Sequence, residues 1–158
     1  MEPTLRAAHE DDKPFLRWLE EVCMRDYAIA LWGAWRPQPE EQLLLRDHRI
    51  VVDKGEDVGC VATVRGADHI WIDGLYIAPS HQRRGLGAAV LQMVIAQSTA
   101  SSLPVRLSVL TTNPAIAFYT REGLHVYQET PERIFLTTSK APAQGRGDRT
   151  RSSDLDLR

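Results

Sequence analysis

Apolar residues near the start of the chain recur at the three- and four-residue spacing of one helix face: Phe15, Leu16, Leu19, Val22 and Cys23. This spacing predicts a helix over about Asp11–Met24, entered through acidic capping residues. A short strand, Thr4–Ala8, is predicted before it. A second, shorter helix is predicted over Pro39–Leu45, because two glutamates lie at what would be its positive end.

The spacing changes to strand-like runs in the middle and towards the end of the chain. These runs, bounded by turn residues, predict six further strands: Arg49–Asp53, Val58–Val64, His69–Ile77, Val105–Val109, His125–Gln128 and Arg133–Thr137. Helical patterns lie between them, from Gly85 to about Ser101 and from Asn113 to about Glu122, where Gly123 is the predicted cap. The order predicts an α/β fold with a mixed, largely antiparallel sheet flanked by helices on both faces.

The composition is that of a globular domain without a strongly charged surface. The 158 residues are 43% hydrophobic and carry a formal net charge of -2, so one domain is expected and no general attraction to nucleic acid. We assign the domain to residues 1–139. Residues 140–158 have almost no apolar content before Leu155, and we interpret them as a flexible tail.

Targeting signals and metal-binding patterns are not evident in the sequence. The N-terminal residues are too polar for a signal peptide, and no segment approaches the roughly 20 apolar residues that span a bilayer. We therefore expect a cytoplasmic protein with no membrane partner. Cys23 and Cys60 lack disulfide or metal spacing, as do the five histidines, so no metal is expected and both thiols are predicted core residues.

A segment with two glycines, Gln82–Gly87, lies between an apolar strand and a helix. The first turn of a helix has unpaired amides and a partial positive charge, and glycines let an anion approach them. Arg83 and Arg84 add positive charge, so a diphosphate is the expected ligand. The nucleotide-binding P-loop pattern is absent, and the third glycine of a dinucleotide-binding fingerprint is missing.

The longer pattern Gln82-Arg83-Arg84-Gly85-Leu86-Gly87 resembles the Q/R-x-x-G-x-G/A signature of the GNAT family of N-acetyltransferases. It follows Leu75–Pro79, which is similar to that family's fourth strand. Residues Asn113–Leu124 are similar to the second signature, in which a helix begins at Asn, carries Tyr near its end and is followed by Gly and Phe. Leu124 replaces that Phe, and the interval from Asn to Tyr is one residue shorter than in many members. The resemblance covers about Thr4–Thr137.

The resemblance implies acetyl-CoA (coenzyme A) as the cofactor. Its pyrophosphate would bind the backbone from Arg83 to Ala88, and its pantetheine arm would pair with the preceding strand. The implied cofactor-binding residues are Leu75, Tyr76, Ile77, Gln82, Arg83, Arg84, Gly85, Leu86, Gly87, Ala88, Asn113 and Tyr119. The alternative for Gln82 is a residue that only enters the helix.

Amine attack on a thioester requires a neutral amine, a polarised carbonyl and a protonated leaving thiolate. The resemblance points the hydroxyl of Tyr119 at the sulfur, so Tyr119 is the candidate general acid; the alternative is a core aromatic. A backbone N–H near Ile77 is the candidate donor to the carbonyl oxygen. Asp73 is the candidate base, directly or through water, and the alternative is an exposed acid with water acting alone.

Four aromatic residues are predicted to bind the acceptor. Period two places Trp71 on the same face as Asp73. Tyr27, Trp32 and Trp35 lie in a segment that resembles a bacterial subgroup of the family and that members often place over the substrate. The alternative for these three is a hydrophobic lid without direct contact.

Two functions stay open at this point. One is acetyl transfer to a primary amine of a small molecule, a peptide terminus or a lysine, with acetyl-CoA and the amine as partners. The other is a non-catalytic acyl-CoA-binding sensor or regulatory module. The glycine segment together with Tyr119 favours the enzyme. A homodimer is also expected, because many relatives form one.

Overall fold

Seven strands form one sheet in the computed structural model, which describes residues 2–139. They are β1 (Thr4–Ala7), β2 (His48–Asp53), β3 (Glu56–Arg65), β4 (Ile70–Ile77), β5 (Val105–Leu110), β6 (His125–Glu129) and β7 (Arg133–Thr137). Their order across the sheet is β1-β2-β3-β4-β5-β7-β6, and only β4 and β5 among these neighbours are parallel. The predicted mixed, largely antiparallel sheet is confirmed. The tail predicted over 140–158 lies outside the described residues.

Among residues 2–139, three α-helices cover the two faces of the sheet: α1 (Lys13–Trp32), α2 (Leu86–Ala100) and α3 (Ile116–Arg121). On the α1 face, Leu16 and Leu19 are buried against Ile50 of β2. On the opposite α2 face, the larger core joins α2 and α3 to the central strands through residues such as Val90 and Leu91. Helices on both faces were predicted, and burial of these apolar side chains holds the layers together.

The extents of three predicted helices are wrong. The helix predicted to begin at Asn113 begins at Ile116, after a turn in which Asn113 Oδ1 accepts the Ala115 N–H. The first helix does not end near Met24 but continues to Trp32, where Gly33 with a φ of 82° ends it and donates its N–H to the carbonyl of Ile29. The helix predicted over Pro39–Leu45 is a single 3₁₀ turn, Glu40–Gln42. Leu43 and Leu44 after it are extended, and a second 3₁₀ turn follows at Leu45–Asp47. Leu43 and Leu45 pack against the α1 core.

A β-bulge interrupts β4 at Asp73. In the register with β3, Ala62 pairs with Gly74 but Thr63 pairs with Ile72, so Asp73 is an extra residue. The bulge shifts the alternation of side chains along the strand. Ile70, Ile72, Leu75 and Ile77 therefore all pack on the α2 face, whereas Trp71 and Tyr76 belong to clusters outside that core.

The parallel strands β4 and β5 pair only at one end. The register contains two pairs, Ile70 with Val105 and Trp71 with Arg106, and the strands separate beyond them. The remainder of β4, through Ile77, is paired with β3 but not with β5. This separation leaves one edge of β4 available inside the sheet, which is where the candidate site lies.

Candidate active site

The gap between β4 and β5 contains a cavity of about 220 Å³. Trp71–Ile77 of β4 line one side and Leu107–Leu110 of β5 line the other. The lining is completed by residues from α1, from the segment between β5 and α3, and from α3 and β7: Cys23, Met24, Tyr27, Asn113, Ala115, Tyr119 and Arg133, with Gln82 from the glycine segment. The cavity therefore lies where β4 and β5 separate, and the other elements close it around that gap.

A larger cavity of about 630 Å³ lies between the beginning of α2 and α3. Its lining shares seven residues with the smaller cavity: Tyr27, Leu75, Ile77, Gln82, Asn113, Ala115 and Tyr119. The two cavities therefore adjoin at the free edge of β4 and at Tyr119. Together they form a channel that runs from the α2 N-terminus into the gap in the sheet.

The N-terminus of α2 presents backbone donors to the larger cavity. Arg83 and Gly85 have φ angles of 65° and 81°, so the chain turns sharply before the helix. The first bond of the helix runs from the Ala89 N–H to the Gly85 carbonyl at 3.0 Å. The amides of Leu86, Gly87 and Ala88 precede it and have no acceptor within the helix. All three residues and Arg83 line the larger cavity, so this end of it carries donors and positive charge of the kind that suits an anion.

Each glycine of this segment meets a different requirement. At Gly85 an added Cβ would meet no atom within 4 Å, but the φ of 81° strains any other residue. At Gly87 an added Cβ would make ordinary contacts, 3.7 Å from Phe118 and 3.9 Å from Ile77. Packing of the protein itself therefore does not require glycine at 87. The bare backbone there leaves the amide accessible to an anion, so these residues fit a bound pyrophosphate.

Gln82 connects the glycine segment to the end of β4. Its Nε2 donates to the carbonyl oxygen of Ile77 at 2.8 Å, and Sγ of Cys23 lies 3.5 Å from the same oxygen. Burial raises the pKa of the Cys23 thiol to about 11, so it stays protonated at neutral pH. The Gln82 side chain thus fixes the loop in place, and it also lines both cavities.

Tyr119 lies where the two cavities adjoin, on α3. Burial raises the pKa of its hydroxyl to about 12, because the phenolate would be poorly solvated. The approach to α3 is ordered by Asn113, whose Oδ1 accepts the Ala115 N–H at 2.9 Å. Thr112 in turn donates its hydroxyl to the Tyr27 carbonyl at 2.7 Å and joins this segment to α1. The tyrosine is therefore a protonated donor on a well-braced element.

Two charged side chains, Asp73 and Arg133, line the smaller cavity among the described residues. Asp73 comes from the bulge of β4. Arg133, on β7, is buried; its Nη1 donates to Ser108 Oγ at 3.3 Å, and its guanidinium lies 6.0 Å from the centre of the Trp32 ring. Sequence reasoning missed Arg133. The available signal was that strand alternation places this charge on the same face as the buried Phe135.

Some of the predicted acceptor-binding residues line the two cavities, and others lie outside them. Tyr27 lines both cavities and Trp71 lines the smaller one, whereas Trp32 and Trp35 line neither. The Trp32 indole instead donates to Glu132 Oε2 at 3.0 Å, next to Arg133 in the sequence.

Most predicted cofactor residues line the larger cavity: Leu75, Ile77, Gln82, Arg83, Gly85, Leu86, Gly87, Ala88, Asn113 and Tyr119. Tyr76 lines the smaller cavity, and Arg84 is exposed outside both.

Solved structures of acetyltransferases share this fold. The PaiA N-acetyltransferase from Thermoplasma acidophilum, in complex with coenzyme A, has a TM-score of 0.69 at 15% identity, covering 89% of this chain and 100% of that one. The ribosomal-protein-S18-alanine N-acetyltransferase from Escherichia coli has a TM-score of 0.65 at 20% identity, covering 88% and 96%.

A third similar structure is N-acetylglutamate synthase from Neisseria gonorrhoeae, complexed with coenzyme A and N-acetyl-glutamate. Its TM-score is 0.66 at 19% identity, covering 87% of this chain. This chain spans only 35% of that protein's length. Residues 5–124 also match the family model described as the acetyltransferase (GNAT) family. With the match extending over most of the domain, the chain belongs to the GNAT acetyltransferase family.

Proposed function

We propose that this protein is an N-acetyltransferase that moves an acetyl group from acetyl-CoA to a primary amine of a small molecule, a peptide or a protein. The observation that carries the proposal is the meeting of two cavities at Tyr119. One cavity ends in the amides of α2, and the other is lined by Asp73 and Arg133. Such an arrangement provides a phosphate site and a reaction site on one continuous path.

The larger cavity suits coenzyme A along its length. The amides of Leu86–Ala88 and the guanidinium of Arg83 would hold the pyrophosphate. The free edge of β4 over Leu75–Ile77 would pair with the pantetheine amides, as a strand pairs with an added strand. Asn113 would lie beside that arm. The coenzyme A complexes of the Thermoplasma and Neisseria relatives support this choice of cofactor.

Acetyl-CoA supplies the acetyl group as a thioester when it is bound. Tyr119 keeps its proton at neutral pH because its pKa is about 12, so its hydroxyl donates to the sulfur as negative charge develops there. A backbone N–H near Ile77 donates to the carbonyl oxygen and polarises it. Both groups act from the junction of the two cavities.

Asp73 is the proposed base for the acceptor amine. It is the carboxylate among the described residues that line the smaller cavity, and, at the bulge of β4, it also lines a small cavity together with Leu16 of α1. An ammonium arriving beside it would lose a proton to Asp73 directly or through one water. The neutral amine would then attack the carbonyl carbon from the side opposite the glycine segment.

The test is release of free coenzyme A thiol from acetyl-CoA with a panel of primary amines. Tyr119→Phe is expected to lower kcat by about 100-fold, because the proton donor is lost, without changing the affinity for acetyl-CoA. Tyr127→Phe, which alters a tyrosine that lines neither cavity, is the matched control. Unchanged turnover in Tyr119→Phe would contradict its role. Binding of acetyl-CoA with no amine acetylated would favour a regulatory module instead.

The remaining expectations concern the location and the oligomeric state of the protein. No helix among residues 2–139 combines the length and the apolar character that a membrane crossing requires. The cytoplasmic location and the homodimer stay predictions. Size-exclusion chromatography with light scattering tests the dimer directly.

A further inference from the structure

We propose that the amine acceptor carries a carboxylate close to its amino group, as a free α-amino acid does, and that Arg133 recognises this carboxylate. The inference rests on the proposed N-acetyltransferase function and names the substrate class of its smaller cavity. Three independent features of that cavity support it: a fixed guanidinium, an opposite charge on another strand, and a buried donor without an acceptor.

Arg133 is held as a fixed positive charge in the cavity wall. Ser108 Oγ accepts a hydrogen bond from its Nη1 at 3.3 Å, and the Trp32 ring lies 6.0 Å from its guanidinium carbon. Trp32 is itself anchored by a 3.0 Å bond to Glu132. A guanidinium keeps its charge at every physiological pH, and its planar set of donors matches a carboxylate. Immobilising it in advance lowers the entropic cost of binding an anion.

Asp73 supplies the opposite charge in the same lining. Asp73 lies on β4 and Arg133 on β7, with β5 between these strands. A small cavity that presents one carboxylate and one guanidinium is complementary to a zwitterion. The acceptor's ammonium would lie towards Asp73, the proposed base, and its carboxylate towards Arg133. This orientation brings the reactive nitrogen to the β4 side, where the thioester would lie.

Trp71 adds a hydrogen-bond donor to this cavity. Its indole N–H is buried and has no acceptor among the described residues, although the residue lines the cavity. A buried donor without an acceptor is costly, and native structures rarely retain one. A carboxylate oxygen in the cavity would offer an acceptor after a small shift of the ring. This observation is independent of Arg133 and points to a ligand that bears oxygen atoms.

The size of the cavity favours a compact acceptor. Its volume of about 220 Å³ is below the range of roughly 300–1,000 Å³ that holds drug-sized ligands. A free amino acid with a short side chain would fit this volume. The larger cavity, by contrast, has room for the cofactor arm.

The experiment compares free L-amino acids with their carboxamides, which keep the amine and the side chain but lose the carboxylate. For the preferred side chain, the wild type is expected to use the acid with a kcat/KM about 10- to 100-fold above that of the amide. Arg133→Met is expected to abolish this preference by raising KM for the acid far more than KM for the amide. Arg133→Lys, which retains the charge but not the planar donors, is expected to restore part of it.

Arg106→Met is the matched control. Arg106 also lies against an aromatic ring, 5.5 Å from the centre of Tyr127, but it does not line the cavity. Its variant is expected to keep the preference for the acid. Thermal unfolding of each variant separates lost recognition from lost folding. If Arg133→Met does not fold, the KM of Arg133→Lys for the acid is compared with that of the wild type.

Two outcomes would overturn the inference while the N-acetyltransferase function stands. One is a wild type that acetylates acids and amides equally well. The other is an Arg133→Met variant that keeps the full preference for the acid. If Arg133→Met does not fold, an Arg133→Lys variant whose KM for the acid equals that of the wild type has the same meaning. Failure of the proposed function looks different: acetyl-CoA binds, but acids, amides and simple amines all remain unacetylated.

Discussion

At the scale of single residues, the site depends on polar side chains that are buried in the protein interior. Tyr119, Arg133 and Trp71 are all buried, and all line the cavity in the sheet. Burial keeps the tyrosine protonated and makes electrostatic interactions with a ligand stronger than they would be in water. The reactivity that we propose therefore follows from where these side chains lie rather than from their identity alone.

The raised pKa of Tyr119 predicts a specific loss of stability at high pH. The folded state keeps this proton up to a pKa of about 12, whereas the unfolded chain releases it near the ordinary value of 10.0. The folded state thus binds more protons between these values, so the free energy of unfolding falls as the pH rises. Between pH 9 and 11 the wild type should lose about 1 kcal/mol more than Tyr119→Phe, measured by urea unfolding. Equal losses would contradict the buried hydroxyl.

Asp73→Asn tests the proposed base. At neutral pH its kcat should fall by about 100-fold, because the acceptor's ammonium loses its proton acceptor. The difference from the wild type should narrow as the pH approaches the pKa of the amine, since more of the amine then arrives neutral. Asp53→Asn, a strand aspartate that lines neither cavity, is the control. An unchanged kcat at neutral pH would mean that water alone removes the proton.

At the scale of elements, two local irregularities produce the site. The bulge at Asp73 rotates the end of β4, and the loss of pairing with β5 after Trp71 opens the sheet. The sharp turn at Arg83 and Gly85 then directs the N-terminus of α2 at the resulting channel.

The two glycines at the start of α2 should respond in opposite directions to alanine. Gly85→Ala is expected to destabilise the protein by about 1–2 kcal/mol, because φ at this position is 81°. Gly87→Ala is expected to be neutral or to stabilise it by up to about 1 kcal/mol, because the added methyl group meets only ordinary contacts in a helix. Chemical denaturation of both variants measures this difference. Equal destabilisation would contradict the described geometry.

Much of the element order could be predicted from the sequence, because burial imposes a period on apolar residues. The end of α1 could not be predicted, since Tyr27–Trp32 is an unbroken apolar run in which no single helix face stands out. The bulge at Asp73 has no periodic signature either. The glycine signature marked the segment that lines the end of the larger cavity, whereas Arg133 reaches the smaller cavity only through the pairing of β7 with β5.

At the scale of the whole molecule, the two main core clusters of residues 2–139 pack on opposite faces of a sheet that opens between β4 and β5. One core joins α2 and α3 to the sheet and the other lies under α1, and the channel runs where β4 and β5 part. Walls made of strands and helices limit the conformational cost of binding a ligand in this channel. We propose that acetyl-CoA occupies this channel with its pyrophosphate on the first turn of α2.

The most direct test is calorimetric titration of the wild type and of Gly87→Glu with acetyl-CoA. Glutamate at 87 avoids backbone strain and suits a helix N-terminus, but it places a carboxylate where the pyrophosphate would bind. We predict a dissociation constant in the micromolar range for the wild type and no detectable binding by a folded Gly87→Glu. Absence of binding by the wild type, or equal binding by both proteins, would contradict the account.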